Sequence, residues 1–488
     1  MDIFIISRYR VFVKVKEFLL GFAFFTLYPL TVWGISGIIT KKTEKTEGGG
    51  GLDTLKRWVG YVAGARFGER RLDWVALGLA YLLPICGAID GRLFTVAALL
   101  YLPIIVYVVL VDGLYLLYPV FFFFYSQLTV GGIVLFRLYT LAFMARTLLG
   151  IVVRFLRRER VSFSVPRTVF AAFLLLVALR YAFFGGFVKL GAVLDLCFLL
   201  CFALEYRRGE EGEKRFSLFC IFFVFGALLS CAVGLTLSSD GRYLATLNDP
   251  NYLGFYLNIA ILTVFLHPFF GKLWLKLPIL ALLYSALIAS ESITGVICNG
   301  IAVLFCIAVS IFSGRFKLKY LVIPLVCGVV AVQFVYISQV HEWGMITEVS
   351  ARVIEKLDAL FLGDISGFTT SRSALWRINL EKFIGFDGLS GLFGGTLVSA
   401  VGRDTALFPQ TSHQELLDAL ISCGAVGILI YLSSFAFATV EDAVNLRKTE
   451  KGGRGAAWVR IGIKLIWLFY AFGLTMFLNG RFFVPILI

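Results

Sequence analysis

Long apolar runs dominate this sequence and constrain its fold more than any motif does. A helix that crosses the hydrocarbon core of a membrane needs about 20 apolar residues, and roughly fourteen runs of the chain approach or exceed that length. Hydrophobic residues make up 59% of the 488 residues and charged residues only 16%, which excludes an ordinary soluble protein. The sequence therefore predicts an all-α fold, a polytopic transmembrane helical bundle of about 12–14 spans.

Lysine and arginine residues are concentrated in the short connections between apolar runs, so the formal net charge of +14 does not require a nucleic-acid partner. Basic connections remain on the cytoplasmic side of a membrane. Five of them fit one topology, in which residues 240–251 and 338–412 lie outside; these five are residues 154–167, 207–215, 272–276, 315–319 and 447–460. The basic segments 8–16 and 41–71 conflict with a single crossing between them, so the orientation of the termini stays open.

The long polar stretch at residues 338–412 divides the chain into three predicted parts. Residues 1–337 form an N-terminal transmembrane bundle, residues 338–412 a large extracytoplasmic loop containing short helices, and residues 413–488 the C-terminal transmembrane helices. The first apolar run lacks a small-residue cleavage site, which indicates a retained anchor. Further predicted spans include residues 74–89, 93–110, 114–125, 130–153, 169–184, 187–204, 216–235, 416–437 and 461–478.

Two arginines, Arg137 and Arg146, fall inside the predicted span 130–153. An arginine within a membrane costs about 3 kcal/mol on insertion scales, so each is expected to face the bundle interior or a polar cleft. They line a substrate path or form pairs within the bundle.

Four polar segments on the predicted outer side carry the candidate chemistry. Residues 248–254 combine an Asp-Pro turn with the start of a span, and by themselves predict a helix cap at Asp249. The small residues of segment 290–295 predict close helix packing. The other two segments are residues 372–377, followed by a Gly394-Gly395 turn, and residues 411–432, which contain His413 and Gln414.

In this order, and over residues 242–432, these segments resemble the O-antigen ligase and polymerase superfamily of lipid-linked glycan transferases. That family shows an Asp-Pro-Asn start to a span, an Arg-x-x-x-Trp helix with a Gly-x-Gly turn, and His-Asn-x-x-Leu before a Gly-x-x-Gly span. The chain departs from the pattern at two places. The family's His-Asn is His413-Gln414, and its Ser-Arg-Gly corresponds to residues 292–295, which contain no arginine.

The resemblance implies transfer of a glycan from undecaprenyl diphosphate to a sugar hydroxyl acceptor, at the outer face of a bacterial cytoplasmic membrane, without a cofactor or metal. It implies a general-base role for His413, whose unperturbed pKa near 6.5 suits proton transfer at neutral pH. Arg242, Arg372 and Arg403 are the candidates for holding the diphosphate. Headgroup snorkelling is the alternative for some of them. Candidate residues along the substrate path are Arg137, Arg146, Asn251 and Gln414.

Other function classes have less support. The three histidines, His267, His341 and His413, have no metal-ligand spacing, and the glycine run 48–51 lacks the residues of a phosphate-binding loop. The expected partners are the lipid-linked glycan, its acceptor and membrane lipids; other polysaccharide assembly proteins are left open. A polymerase is preferred over a ligase that acts on a lipid core or protein. A transporter or flippase is a further alternative, disfavoured by the histidine confined to one side.

Overall fold

The computed structural model describes residues 68, 70–89, 93–110, 113–156, 165–184, 190–204, 210–234, 236–237, 242–312, 372–394, 414–448 and 454–474, and a few positions between 351 and 367. These residues are mostly helical. The predicted anchor, most of the basic segment 41–71, the apolar run 320–337 and most of the long loop lie outside them. Arg403 and His413 lie outside them as well.

Fourteen α-helices are numbered in chain order among the described residues, with two short strand pairs. They are α1 (Arg71–Ile89), α2 (Leu93–Leu110), α3 (Leu114–Phe123), β1 (Thr129–Val130), β2 (Ile133–Val134), α4 (Leu135–Leu156), α5 (Val165–Phe184), α6 (Leu190–Leu204), α7 (Glu210–Val233), β3 (Thr236–Leu237), β4 (Tyr243–Ala245), α8 (Pro250–Leu266), α9 (Leu273–Ala289), α10 (Ile293–Phe312), α11 (Arg372–Ile384), α12 (Gly388–Phe393), α13 (Glu415–Lys448) and α14 (Arg454–Tyr470). A single 3-10 turn, Pro268–Phe270, joins α8 to α9.

Four segments of the described residues are long and apolar enough to cross a membrane: residues 135–152, 212–233, 293–312 and 415–447. Shorter apolar helices accompany them, among them α8 and α9. Large apolar side chains such as Leu304 and Phe312 on α10 are exposed, as expected for a helix surface that faces lipid. The prediction of a helical membrane protein is confirmed at this level.

The predicted span 130–153 begins five residues too early. Residues 129–134 form an antiparallel hairpin in which Val130 pairs with Ile133. Its turn residues Gly131 and Gly132 have φ angles of 56° and 80°, which a two-residue hairpin turn requires and glycine adopts readily. The Gly-Gly pair between β-branched residues was the signal for this turn, and α4 begins only at Leu135.

The predicted span 114–125 is a short internal helix. The ten residues of α3 reach about 15 Å, half of the hydrocarbon thickness of a membrane. Nine of the ten side chains are buried. This helix is therefore part of a core and too short to cross a membrane alone.

The described residues form two compact units. The first comprises Met1–Ser162, Ile221–Ser238 and Leu244–Asn248, and its core is aromatic. Tyr118 stacks on Phe122 at 5.5 Å and Phe121 on Tyr139 at 5.2 Å between ring centroids. The hydroxyl of Tyr81 donates to the carbonyl of Leu116 at 2.9 Å. The hydroxyl of a buried tyrosine usually finds such a partner.

The second unit comprises Phe163–Cys220, Ser239–Tyr243 and Asp249–Ile488. In it α8 packs against α9, α10 and α14, and α5 packs against α13. A side chain at Gly254 would meet the Cα of Gly295 at 3.2 Å. Helices within a membrane associate through such close contacts, and the prediction of close packing at residues 290–295 is confirmed.

Helix α13 is broken at Gly424, where φ is 68° and ψ is −173°. The hydroxyl of Tyr431 donates to Oε1 of Glu415, although 16 residues of straight helix would separate these positions by about 24 Å. The arms 415–423 and 425–448 therefore fold back on each other. The predicted span 416–437 is therefore interrupted at Gly424, and its first two turns belong to the shorter arm.

Candidate functional site

The start of α8 is fixed by the carboxylate of Asp249. Its Oδ1 accepts hydrogen bonds from the backbone N–H groups of Asn251, at 2.7 Å, and Tyr252, at 3.3 Å. Pro250 occupies the first helical position, where its missing N–H costs nothing. The helix cap predicted from the sequence is confirmed, and it leaves the side chain of Asn251 at the end of the bundle, where its Oδ1 accepts from the hydroxyl of Ser292 at 3.0 Å.

Arg372 lies at the same end of the second unit as Asp249. As the first residue of α11, it donates from Nη1 to the backbone carbonyl of Gly473 at 2.9 Å. Burial lowers the pKa of the Arg372 guanidinium, nearby Asp249 raises it, and the positive charge of Arg242 lowers it further. The Arg372 guanidinium is therefore close enough to both Asp249 and Arg242 to sense their charges.

This arrangement has the chemistry of an anion site. Arg242 and Arg372 bring two guanidinium groups to the region of the Asp249 carboxylate. Guanidinium groups hold phosphate oxygens through paired, charge-assisted hydrogen bonds. The cluster could therefore hold a phosphate or diphosphate at the end of the bundle.

The chain that leaves the long loop reaches the same turn as Arg372. The backbone N–H of Glu415 donates to the carbonyl of Ala471 at 2.7 Å, two residues before the carbonyl that Arg372 binds. Gln414 accepts a hydrogen bond at Oε1 from the N–H of Leu417, at 2.7 Å, and so caps the returning arm of α13. Gln414, the neighbour of His413 in sequence, is thus tied to the turn at residues 471–473.

A buried carboxylate anchors the beginning of α13. Oε1 of Glu415 accepts from the hydroxyl of Tyr431 and from Nε1 of Trp467, the latter at 3.4 Å. Glu415 is completely buried, and an unpaired carboxylate in such a place would be costly. The two donors stabilise it and join both arms of α13 to α14.

Gly394, which follows the segment 372–377, packs against Gly424 in the segment 411–432. Gly394 and Gly424 both have positive φ, 93° and 68°. A side chain at Gly394 would lie 2.6 Å from the backbone nitrogen of Cys423, and one at Gly424 would lie 2.5 Å from the nitrogen of Gly394. Only residues without Cβ allow this approach, so the end of α12 is packed directly into the break of α13.

An asparagine inside α8 connects three helices below the site. Nδ2 of Asn258 donates to the carbonyls of Gly254, at 3.0 Å, and Gly295, at 2.8 Å, and lies 3.3 Å from the hydroxyl of Tyr470. Its Oδ1 accepts from Nδ2 of Asn299 at 2.8 Å. These hydrogen bonds join α8, α10 and α14 where lipid offers no alternative partners.

The remaining predicted residues divide into three groups. Arg137 and Arg146 belong to the first unit; Arg137 is half-buried and Arg146 is 8% exposed, so Arg146 is buried as expected. Arg377 is exposed on α11 and lies 3.7 Å from Glu381. His413 and Arg403 lie outside the described residues.

Sequence reasoning missed Asn258, Glu415 and Tyr470. A polar side chain inside an apolar run was the available signal for Asn258, and a carboxylate directly before such a run was the signal for Glu415. Tyr470 carried no such signal, because tyrosine is common at the ends of membrane helices. Comparison of the chain with protein-family models, with curated proteins and with solved structures finds no match to any of them.

Proposed function

We propose that this chain is a multi-pass glycosyltransferase of a bacterial cytoplasmic membrane that transfers a glycan from undecaprenyl diphosphate to a sugar hydroxyl. The reaction takes place at the extracytoplasmic face and requires no metal. The observation that carries the proposal is the convergence of Arg242, Asp249 and Arg372 with the segment that begins at Gln414. The resemblance of the four segments to the O-antigen ligase and polymerase superfamily supplies the reaction.

The leaving group determines the role of the arginines. When the acceptor oxygen attacks the anomeric carbon, the bond from that carbon to the phosphate oxygen breaks and its electron pair leaves with the diphosphate. Negative charge grows on the diphosphate, and the guanidinium groups of Arg242 and Arg372 stabilise it. Arg403 is a further candidate for the same role. Asn251 and Gln414 are proposed to line the path of the substrates.

The acceptor hydroxyl must lose its proton in the same step. His413 is the proposed base, because neutral imidazole accepts a proton at physiological pH. Each transfer thus forms one glycosidic bond, releases undecaprenyl diphosphate and leaves the acceptor's proton on the histidine. A polymerase, whose acceptor is another repeat-unit glycan, is preferred. Transfer to a lipid core or protein by a ligase is the second candidate.

The test is expression in a heterologous host, followed by incubation of membranes with a purified lipid-linked repeat unit and electrophoresis of the glycan. A ladder of products indicates a polymerase, and a single transfer to another acceptor indicates a ligase. Movement of the lipid across the membrane without bond formation would establish a flippase and contradict both.

The same assay is applied to the variant His413→Ala, which is compared with the wild type at equal protein abundance in the membranes. Loss of a general base lowers rates by about 100-fold to 10,000-fold, and we expect product formation to fall within that range. Gln414→Asn is the conservative control, because asparagine caps helices well and its side-chain oxygen can accept the hydrogen bond that the N–H of Leu417 donates to Gln414. Near-normal turnover of His413→Ala would remove the base from the mechanism.

A further inference from the structure

The turn that follows α14 is the point at which the proposed site is assembled. The carbonyl of Ala471 accepts from the N–H of Glu415, and the carbonyl of Gly473 accepts from Arg372. The turn is closed by the carbonyl of Tyr470, which accepts from the N–H groups of Gly473, at 2.8 Å, and Leu474, at 2.9 Å. The placement of Arg372 therefore depends on the placement of Tyr470.

The side chain of Tyr470 is held from two other helices. Its hydroxyl lies 3.3 Å from Nδ2 of Asn258 on α8 and within hydrogen-bonding reach of Ser292 at the start of α10. Its ring packs edge-to-face on Phe255 with a centroid distance of 4.8 Å, and the residue is completely buried. The glycine at position 254 makes room for the hydroxyl, since a side chain there would lie 3.0 Å from it.

We propose that Tyr470 is a positioning residue for Arg372, and through it for the diphosphate of the donor. The hydroxyl fixes the end of α14, and with it the Gly473 carbonyl that orients the guanidinium. This inference rests on the proposed function, because it names the part of the chain that aligns its leaving-group arginine. A guanidinium that can rotate away keeps its charge but loses the paired geometry that phosphate requires.

Removal of the Tyr470 hydroxyl tests whether this residue positions Arg372 without disturbing the fold. In Tyr470→Phe the ring remains to pack on Phe255. The amide of Asn258 keeps its two carbonyl partners, Gly254 and Gly295, so no donor is left unsatisfied. We therefore expect the variant to fold and to lose roughly three- to tenfold in transfer, the range that corresponds to one buried hydrogen bond.

The experiment is a double-mutant cycle of Tyr470→Phe with Arg372→Lys, read out as transfer rate and as binding of undecaprenyl diphosphate to the purified protein. If Tyr470 acts through Arg372, the double variant is no worse than Arg372→Lys alone. The control is Tyr101→Phe in the first unit, which also removes a buried hydroxyl, one that donates to the carbonyl of Ala80. It should leave both quantities unchanged.

Multiplicative losses in the double variant would overturn the inference, and so would binding by Tyr470→Phe equal to that of the wild type. If Tyr470→Phe does not accumulate in membranes, Phe255→Leu removes the ring against which Tyr470 packs and is put through the same cycle. Absence of transfer in the wild type contradicts the proposed function. The double-mutant cycle with binding of undecaprenyl diphosphate as its readout still tests whether Tyr470 positions Arg372.

Discussion

At the scale of single residues, the structure distinguishes two arginines on the same helix. Arg372 is half-buried, donates to Gly473 and lies near Asp249, whereas the side chain of Arg377 is 78% exposed beside Glu381. We expect Arg372→Lys to reduce transfer at least tenfold, because lysine keeps the charge but cannot form paired hydrogen bonds. Arg377→Lys should remain within about twofold of the wild type, since an exposed ion pair contributes little.

Transfer assays on membranes with matched protein levels measure both variants. Arg242→Lys belongs with Arg372→Lys, because both guanidinium groups are proposed to bind one diphosphate. Equal tolerance of lysine at positions 242, 372 and 377 would show that these arginines only anchor the chain near lipid headgroups.

A histidine in the connection after α8 should make stability depend on pH. His267 is buried, its Nδ1 accepts from the N–H of Phe269 at 3.3 Å, and its Nε2 lies 2.9 Å from the hydroxyl of Ser217. Burial lowers its pKa to about 4, below the value of about 6.5 in an unfolded chain. The unfolded state therefore binds the proton first, and stability decreases as pH falls from about 6.5 toward 4.

The measurement is the thermal unfolding midpoint of the detergent-purified protein at several pH values in that window. In His267→Gln, which keeps a polar side chain but does not titrate, the decrease between pH 7 and pH 5 should be smaller than in the wild type. An identical decrease in both proteins would assign it to other groups.

Residues whose role is local were the ones that the sequence could predict. The cap at Asp249 follows from three consecutive residues, since the carboxylate and the N–H groups that it binds are neighbours in sequence. The roles of Glu415 and Tyr470 depend on partners 52 and 212 positions away. No local pattern specifies such contacts, so the candidate site was only partly predictable.

At the scale of elements, the contact between α12 and the break in α13 gives a sharp prediction. A methyl group at Gly424 would collide with the backbone of Leu392 and Gly394, and alanine at a φ of 68° is strained in addition. We expect Gly424→Ala to lower the unfolding midpoint by several degrees, or to prevent accumulation, and to impair transfer. Gly394→Ala should behave in the same way.

Gly300→Ala in α10 is the matched control, because a side chain there meets nothing within 4 Å. Alanine is favoured over glycine inside a helix by about 0.5–1 kcal/mol, so this variant should be as stable as the wild type or slightly more stable. Similar behaviour of Gly424→Ala and Gly300→Ala would mean that the backbone contact at the break contributes nothing.

The apolar runs of the sequence predicted where helices form, but they did not predict where a helix is broken. The predicted span 93–110 coincides with α2, and its apolar residues are bounded by turn residues at both ends. The break at Gly424 was not predictable from hydropathy, because both arms of α13 are apolar. The fold-back depends on Glu415, Tyr431 and Trp467, whose contacts form only in the tertiary structure.

At the scale of the whole molecule, the second unit has two chemically different ends. One carries Asn251, Arg372 and Gln414. The other carries buried ion pairs, in which Arg460 lies 2.5 Å from Glu213 and 3.8 Å from Asp442, and Lys464 pairs with Asp442. Buried charges of this kind require their partners, so the second end is expected to be a structural anchor, whereas the first carries the arginines proposed to bind a ligand.

The side of the membrane on which each end lies determines whether the proposed reaction is feasible. We expect the end with Arg372 to be extracytoplasmic, because the basic connections 272–276 and 447–460 lie at the opposite end of their helices. Two exposed positions report on this: Gly388 at the start of α12, where a side chain would meet nothing within 4 Å, and Lys272 before α9. Each is replaced by cysteine in a background without the native cysteines, and intact cells are treated with a membrane-impermeant maleimide.

The variant Gly388→Cys should be labelled in intact cells, and Lys272→Cys only after permeabilisation. Labelling of both in intact cells would put the two positions on the same side of the membrane and contradict the expected topology. The reverse pattern would place Arg242 and Arg372 in the cytoplasm. A glycan donor presented at the outer face could not reach them there, so the proposed transfer reaction would be excluded even though the anion site would stand.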